Sequence, residues 1–327
     1  MKNYWNKEEL LNFANILERK KIPMPLEEYK VIMHDIVVIN QLLKSIKNDK
    51  KIGTGYPNPF VRDGIIINRD KILDLVPRNL ILNYRIPYFF RSKKINEAIE
   101  RQLFLEFLSE IDYELLEIFD KLIFDNSISL NCTEGEGYVQ QLIKFDKFYV
   151  SLRDDRWKSF TLVHEIGHIK QLKKCTNMDE IENLHLSLFI ETYSKYLELK
   201  WAEFLCTKGY NKIGLRIKEE IINNIYIYTE RFYDYMSEDI DNKKVFYGNF
   251  IINYISYLLS IYFLDKPYEE ILKLNNLIIS KNNYEVLTLL NKQINKKIIQ
   301  INFDEFVLNY RNEIYKEKTK KKIKRKL

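Results

Sequence analysis

Glycine and proline are scarce in this 327-residue chain: nine glycines and seven prolines make up about 5% of it, against a usual share of about 12%. Folds that depend on frequent tight turns, such as sandwiches, barrels and collagen-like helices, are therefore disfavoured. Only three cysteines occur (Cys132, Cys175 and Cys206), widely spaced and without a Cys-x-x-Cys pair. That is no disulfide framework, and reduced thiols in a cytoplasmic protein are expected. Long apolar runs are missing as well. The longest, Phe250 to Leu264, is shorter than the ~20 residues a membrane span needs and contains Asn253, so it reads as a buried helix. The first residues hold no apolar core of the signal-peptide kind. With 46% hydrophobic and 30% charged residues, wholesale disorder is excluded. A soluble, mainly helical protein is expected.

The net charge of +6 is concentrated at one end. Lys316 to Leu327 hold eight bases against one acid, Glu317, a surplus of seven, so the rest of the chain carries one net negative charge. A near-neutral body with a basic end does not describe a nucleic-acid-binding domain, and no specific nucleic-acid partner is expected. The end itself reads as a frayed, solvated terminus.

Apolar residues recur at three- and four-residue spacing from about Glu8 to Ser45, interrupted by Pro23 and Pro25, and again from Ile95 to about Phe124, which predicts helices. Between them Gly53-Thr-Gly-Tyr-Pro-Asn-Pro is a loop. The period changes in Ser127-Ile-Ser-Leu and in Lys147-Phe-Tyr-Val-Ser-Leu, with Gly135 and Gly137 between them, predicting strands of a small sheet or ribbon. Beyond Asp155 helices are predicted almost to the end, with breaks around Gly209 to Gly214 and at Pro267.

The chemistry lies in Phe160-Thr-Leu-Val-His-Glu-Ile-Gly-His168, which contains H-E-x-x-H: His164, Glu165 and His168. On a helix, residues four apart share a face, so both imidazoles can reach one zinc ion while Glu165 projects beside them as a general base. Asp154 and Asp155 are candidate caps for the helix start, and Phe160, Leu162, Val163 and Ile166 its buried face. Gly167 implies close packing behind the metal. The chain has four histidines (His34, His164, His168 and His185), and two of them form this pair. The position where a metzincin has its third histidine is Lys174. A carboxylate from a later helix is then the third ligand, and a helix predicted over Leu186 to Phe204 offers Glu191, Glu198 and Glu203. Glu191 and Glu198 are two turns apart on one face, with Ser194 between them, so one can ligate and the other orient a ligand. Glu203 reads as solvated, and His185 as a surface or satisfied histidine.

These residues resemble a known family. Phe189-Ile-Glu-Thr-Tyr-Ser-Lys-Tyr-Leu-Glu198 is similar to the E-x-x-S-x-x-x-E segment of the oligoendopeptidase F and thimet oligopeptidase family, and its distance from His164 is close to that family's. The resemblance implies that Glu191 is the third zinc ligand. Upstream, Leu122-Ile-Phe-Asp-Asn-Ser-Ile-Ser129 and Glu136-Gly137-Tyr138 resemble the family's lead-in to its G-x-Y strand segment, and Phe148-Tyr149-Val-Ser-Leu its substrate-pairing edge strand. Downstream, Val245 occupies the place of a family histidine. Tyr254 and Tyr257 match the tyrosines that stabilise the oxyanion and contact substrate there. The resemblance runs over roughly Asp112 to Leu264.

The expected fold is mainly α: a helical zinc-peptidase (gluzincin-type) catalytic domain with a small β-ribbon or sheet beside the active-site helix. The expected division is an N-terminal helical region (1–110), a catalytic domain (111–315) and a basic, disordered tail (316–327). The expected activity is zinc-dependent hydrolysis of peptides in extended conformation, with one Zn2+ per chain and Glu165 as base on the metal-bound water. Ser194, Glu198, Gly137, Tyr138 and Tyr149 are expected around the ligands or the substrate. Two other readings remain open. Arg156-Trp-Lys-Ser-Phe-Thr-Leu-Val-His-Glu-Ile-Gly-His also resembles the regulatory peptidases that cleave phage-type repressors. The absent downstream histidine also fits a zinc-stabilised, non-catalytic peptide-binding protein.

Overall fold

The structure, a computed structural model, describes residues 6–20, 24–48, 64–77, 80, 95–132, 137–153, 158–237 and 248–324. Helices α1 (Lys7–Glu18) and α2 (Leu26–Asn48) are followed by α3 (Gly64–Leu75). The pair α4 (Glu97–Ile111) and α5 (Tyr113–Phe124) leads into the strands β1 (Ile128–Cys132), β2 (Tyr138–Leu142) and β3 (Lys147–Arg153). Then come α6 (Lys158–Lys173), α7 (Met178–His185), α8 (Glu191–Thr207) and α9 (Asn211–Ser237). The chain continues with α10 (Gly248–Leu264), α11 (Tyr268–Ser280), α12 (Asn283–Leu290) and α13 (Lys296–Lys324). The protein is mainly helical with one small sheet beside α6. Among the described residues no helix is long and apolar enough to cross a membrane.

Two compact units divide the chain: Met1–Tyr56 with Asn96–Glu182, and Pro57–Ile95 with Asn183–Leu327. In the first, the sheet order is β1-β3-β2, with β1 parallel and β2 antiparallel to β3. Strand β2 alternates, with Tyr138, Gln140 and Leu142 buried. Tyr138, Leu142 and Tyr149 form a core with Leu10 and Leu17 of α1 and Ile32, Val38, Ile39 and Leu42 of α2. Each such side chain contributes ~1.5–3 kcal/mol on burial. Helix α6 packs against β2 and β3 and also against α4 and α5. It is therefore covered on two sides, and Leu162, Val163, Ile166, Ile169 and Leu172 are all buried.

Polar side chains fix these layers. Asp112 ends α4, caps α5 by accepting from the Glu114 N–H at 2.9 Å, and pairs with the ammonium of Lys170 on α6. Lys170 is buried, and its second partner is Glu114 at 3.3 Å. Glu100 of α4 accepts from the N–H and hydroxyl of Ser159, satisfying a donor in the first turn of α6. Asp154 and Asp155, predicted for that role, lie outside the described residues. Asp35 of α2, fully buried, accepts from the N–H groups of Ile143 (2.9 Å) and Lys144 (2.8 Å) and so holds the short 3-10 turn between β2 and β3.

The second unit is built around α8. Thr192 to Leu199, Trp201, Ala202, Phe204 and Leu205 are buried, under α9, α10 and α11. The apolar run predicted to be a buried helix is α10, which packs on α8, α9 and α13. Helix α8 begins five residues later than the sequence implied. Asn283 accepts from the Leu188 N–H and donates to the Leu186 carbonyl, both at 2.8 Å, and that carbonyl is one that a helix starting at Leu186 would use as an acceptor. The helix predicted over Ile95 to Phe124 is two helices, broken at Asp112. The basic run from Lys316, expected to be disordered, continues α13 as far as Lys324.

One expectation is overturned by the topology. Strand β3, which carries Phe148 to Leu152, is the centre of the sheet and not an edge, so both sides of its backbone are already paired.

Replacing Asp35 by alanine leaves two backbone N–H groups without their acceptor and should cost about 3 kcal/mol of stability, read from denaturant midpoints. Asp35→Asn, which keeps one acceptor oxygen, should cost less.

Candidate metal centre

The H-E-x-x-H residues lie in the middle of α6, the helix between the sheet and the α4–α5 pair. His164 and His168 are half-buried, one turn apart, with rings 4.7 Å between centroids and 79° between planes. Their Nε2 atoms are 3.1 Å apart. Two nitrogens on a tetrahedral zinc, each at 2.0–2.1 Å, stand about 3.3 Å from each other, so the pair already has the spacing of two ligands. The Nδ1 of His168 donates to Oε1 of Gln171, 3.2 Å away, which leaves the lone pair of a neutral ring on Nε2.

Glu165, next in sequence to His164, is buried, at 3% exposure. Its carboxylate lies against Gly137 at the start of β2. A Cβ placed on Gly137 would stand 2.6 Å from Glu165 Oε1 and 2.7 Å from Cγ2 of Thr161, closer than non-bonded atoms approach. The missing side chain at 137 is what leaves room for the carboxylate.

Glu191 is the first residue of α8, where the exposed N–H groups of the helix end favour negative charge. His164, His168 and Glu191 each offer one donor atom, and these three atoms all lie within 4.8 Å of one another. The donor set of two imidazoles and one carboxylate suits zinc with a fourth position for water or substrate. Of the three glutamates offered by the sequence, Glu191 alone joins the pair among the described residues. Glu198 is buried and forms an ion pair with Lys195 at 3.1 Å, and Ser194 is fully buried beside them. Glu203 pairs with Lys200 at 3.1 Å and lines a cavity of about 260 Å³ in the second unit, together with Lys218, Phe306 and Tyr310.

The other residues singled out from the sequence have different surroundings. Tyr254 is fully buried, its hydroxyl donates to the Pro77 carbonyl at 2.9 Å, and burial raises its pKa. Tyr257 is buried too, with the Lys195 ammonium 4.8 Å from its ring and Tyr228 stacked on it. Burial raises its pKa, and Lys195 opposes that rise only in part. In this arrangement the Tyr254 hydroxyl is spent on a backbone carbonyl instead of being presented to an oxyanion. Tyr138 and Tyr149 are core residues between the sheet and helices α1 and α2, and the Tyr149 hydroxyl donates to Glu9 at 3.3 Å. They pack the sheet against those helices. His185 ends α7, half-buried. Val245, the place of the family histidine, lies outside the described residues.

Sequence reasoning missed Gln171 and Lys195, both buried beside residues it had singled out. The signal was present: each stands three residues from its partner on a helix, His168 and Glu198 respectively, a spacing that puts side chains on one face.

No protein family matches the chain, and no curated protein does. Among solved structures it is similar to one from Bacillus anthracis strain Ames, provisionally described as an oligoendopeptidase F. That likeness has 14% identity and a TM-score of 0.48, over 94% of this chain and 74% of the other. A second structure, described in the same provisional words, gives 12% identity and a TM-score of 0.42, over 87% of this chain and 65% of the other.

Cys175 and Cys206 are not candidate nucleophiles. Burial pushes Cys175 up to about 12 and Cys206 up to about 11, so both stay protonated at neutral pH. At about pH 8, iodoacetamide should label these two cysteines at least ~100-fold more slowly in the folded protein than in urea, as followed by peptide mass spectrometry.

Proposed function

We propose that this protein is a zinc peptidase in which His164, His168 and Glu191 hold the metal and Glu165 is the general base. The observation that carries the reading is the approach of two imidazoles and one carboxylate to within 4.8 Å, with a buried glutamate next in sequence to the first histidine. A site that served structure alone would have no use for a base there. Zinc in this donor set supplies a Lewis acid and brings the pKa of water at its open position towards ~7.

The chain's own groups do the rest. The Glu165 carboxylate accepts a proton from the attacking water and returns it to the departing amine, a role worth about 10²–10⁴ in rate. Gly137 lets that carboxylate sit close to the backbone at the start of β2. Tyr254 has no part in this scheme while its hydroxyl is held by Pro77.

Peptide substrate in extended form pairs with β2 in this proposal, replacing the β3 assignment. The Val150 N–H donates to the Ser127 carbonyl on the β1 side. Val150 is therefore turned away from β2, and its partner Val139 belongs to a pair without mutual hydrogen bonds. Val139 and Gln141 direct their backbone N–H and C=O groups away from β3, where among the described residues no further strand pairs. An added strand would read backbone more than side chain, so broad sequence tolerance follows.

Glu165→Gln should retain zinc and lose about 10³-fold or more in peptide cleavage, measured by mass spectrometry on a mixed peptide library. Undiminished cleavage by this variant would sink the mechanism, and bound zinc with no cleavage by the wild type would favour a binding protein. Chelation should abolish cleavage and added zinc restore it. Gly137→Ala, which displaces the carboxylate, should lower kcat by up to about 100-fold while the metal stays bound.

A further inference from the structure

The amide of Gln171 is fully buried on α6, three residues beyond His168, and no step above uses it. Its Oε1 stands 3.2 Å from His168 Nδ1, and an amide oxygen can only accept, so Nδ1 must donate. The same ring therefore turns its lone pair, on Nε2, towards His164, 3.1 Å away. The Gln171 backbone is itself tied, its carbonyl accepting from the Cys175 thiol at 3.7 Å.

From this geometry we propose that Gln171 is a positioning residue that fixes the tautomer and orientation of His168 and, as a neutral amide, limits how much charge that imidazole gives the metal. The proposal rests on the zinc reading of His164, His168 and Glu191. A carboxylate in the same place would draw the Nδ1 proton more strongly and make Nε2 a better donor. With an amide the ring is aligned but its basicity is raised less, so more of the divalent charge remains to polarise a substrate. Sequence spacing supports the contact, since residues three apart share a helix face.

The test compares the wild type with Gln171→Leu and Gln171→Glu at about pH 8. In metal-free protein, nitrogen-15 shifts of the His168 ring should show the Nδ1–H form in the wild type and in Gln171→Glu. In Gln171→Leu they should show a mixture or the Nε2–H form. Chelator competition should find zinc bound about 10–100-fold more weakly by Gln171→Leu and at least as tightly by Gln171→Glu as by the wild type. Rescue of both readouts by Gln171→Glu separates alignment of the ring from a general loss of packing. If Gln171→Leu keeps the Nδ1–H form and binds zinc within about threefold of wild type, the role of Gln171 is overturned while the metal site stands. If the wild type itself binds no zinc, the metal site falls and the metal half of this proposal with it, whatever the ring nitrogens show.

Discussion

Putting two imidazoles, a carboxylate, an amide and an ammonium on one buried helix costs several kcal/mol unless each polar group meets a partner. Much of the first unit is arranged around that constraint. Helix α6 is packed by the sheet on one side and by α4 and α5 on the other, so water cannot satisfy its polar residues on either of those sides. Lys170 is met by Asp112 and Glu114, the first turn by Glu100, and His168 by Gln171 from the same helix. Gly137 makes way for Glu165 by having no side chain. On the same helix the Nε2 atoms of His164 and His168 stand 3.1 Å apart, close to the spacing of two nitrogens on one zinc.

The sheet serves that helix in two ways. Its one face, with Tyr138, Leu142 and Tyr149, is closed by α1 and α2, and this fixes which side of β2 and β3 is left for α6. Its strand order then decides which backbone groups are spent. Placing β3 in the middle consumes both of its sides and makes β1 and β2 the outer strands among the described residues, and Gly137, just before β2, lies against the Glu165 carboxylate. Both effects follow from pairing and layer order, not from the composition of any single strand.

Much of this is legible from local pattern. The helix–strand–helix order, the scarcity of turns and the placing of His164, Glu165 and His168 on one helix need only 3.6- and 2-residue periods, which the chain keeps. Local pattern narrows the third donor to three glutamates on a later helix, and Glu191 is the one that joins the pair. The errors share a cause. Before the late start of α8, Asn283, some ninety residues on, donates to the Leu186 carbonyl that an earlier start would use, and accepts from the Leu188 N–H. Tyr254 is turned to a carbonyl of Pro77, far upstream, and Tyr149 to Glu9 of the first helix. None of these partners is within reach of a local pattern.

The amino-acid order by itself determined what depends on neighbours three or four residues away: that α6 is a helix, that its two imidazoles share a face, and that Gln171 falls within reach of His168. Only the tertiary structure decided which carboxylate meets those imidazoles, which strand takes the centre of the sheet and which tyrosines are spent on packing. Those outcomes turn on contacts between segments tens to hundreds of residues apart, where burial leaves a polar atom stable only beside a partner that the chain brings from elsewhere.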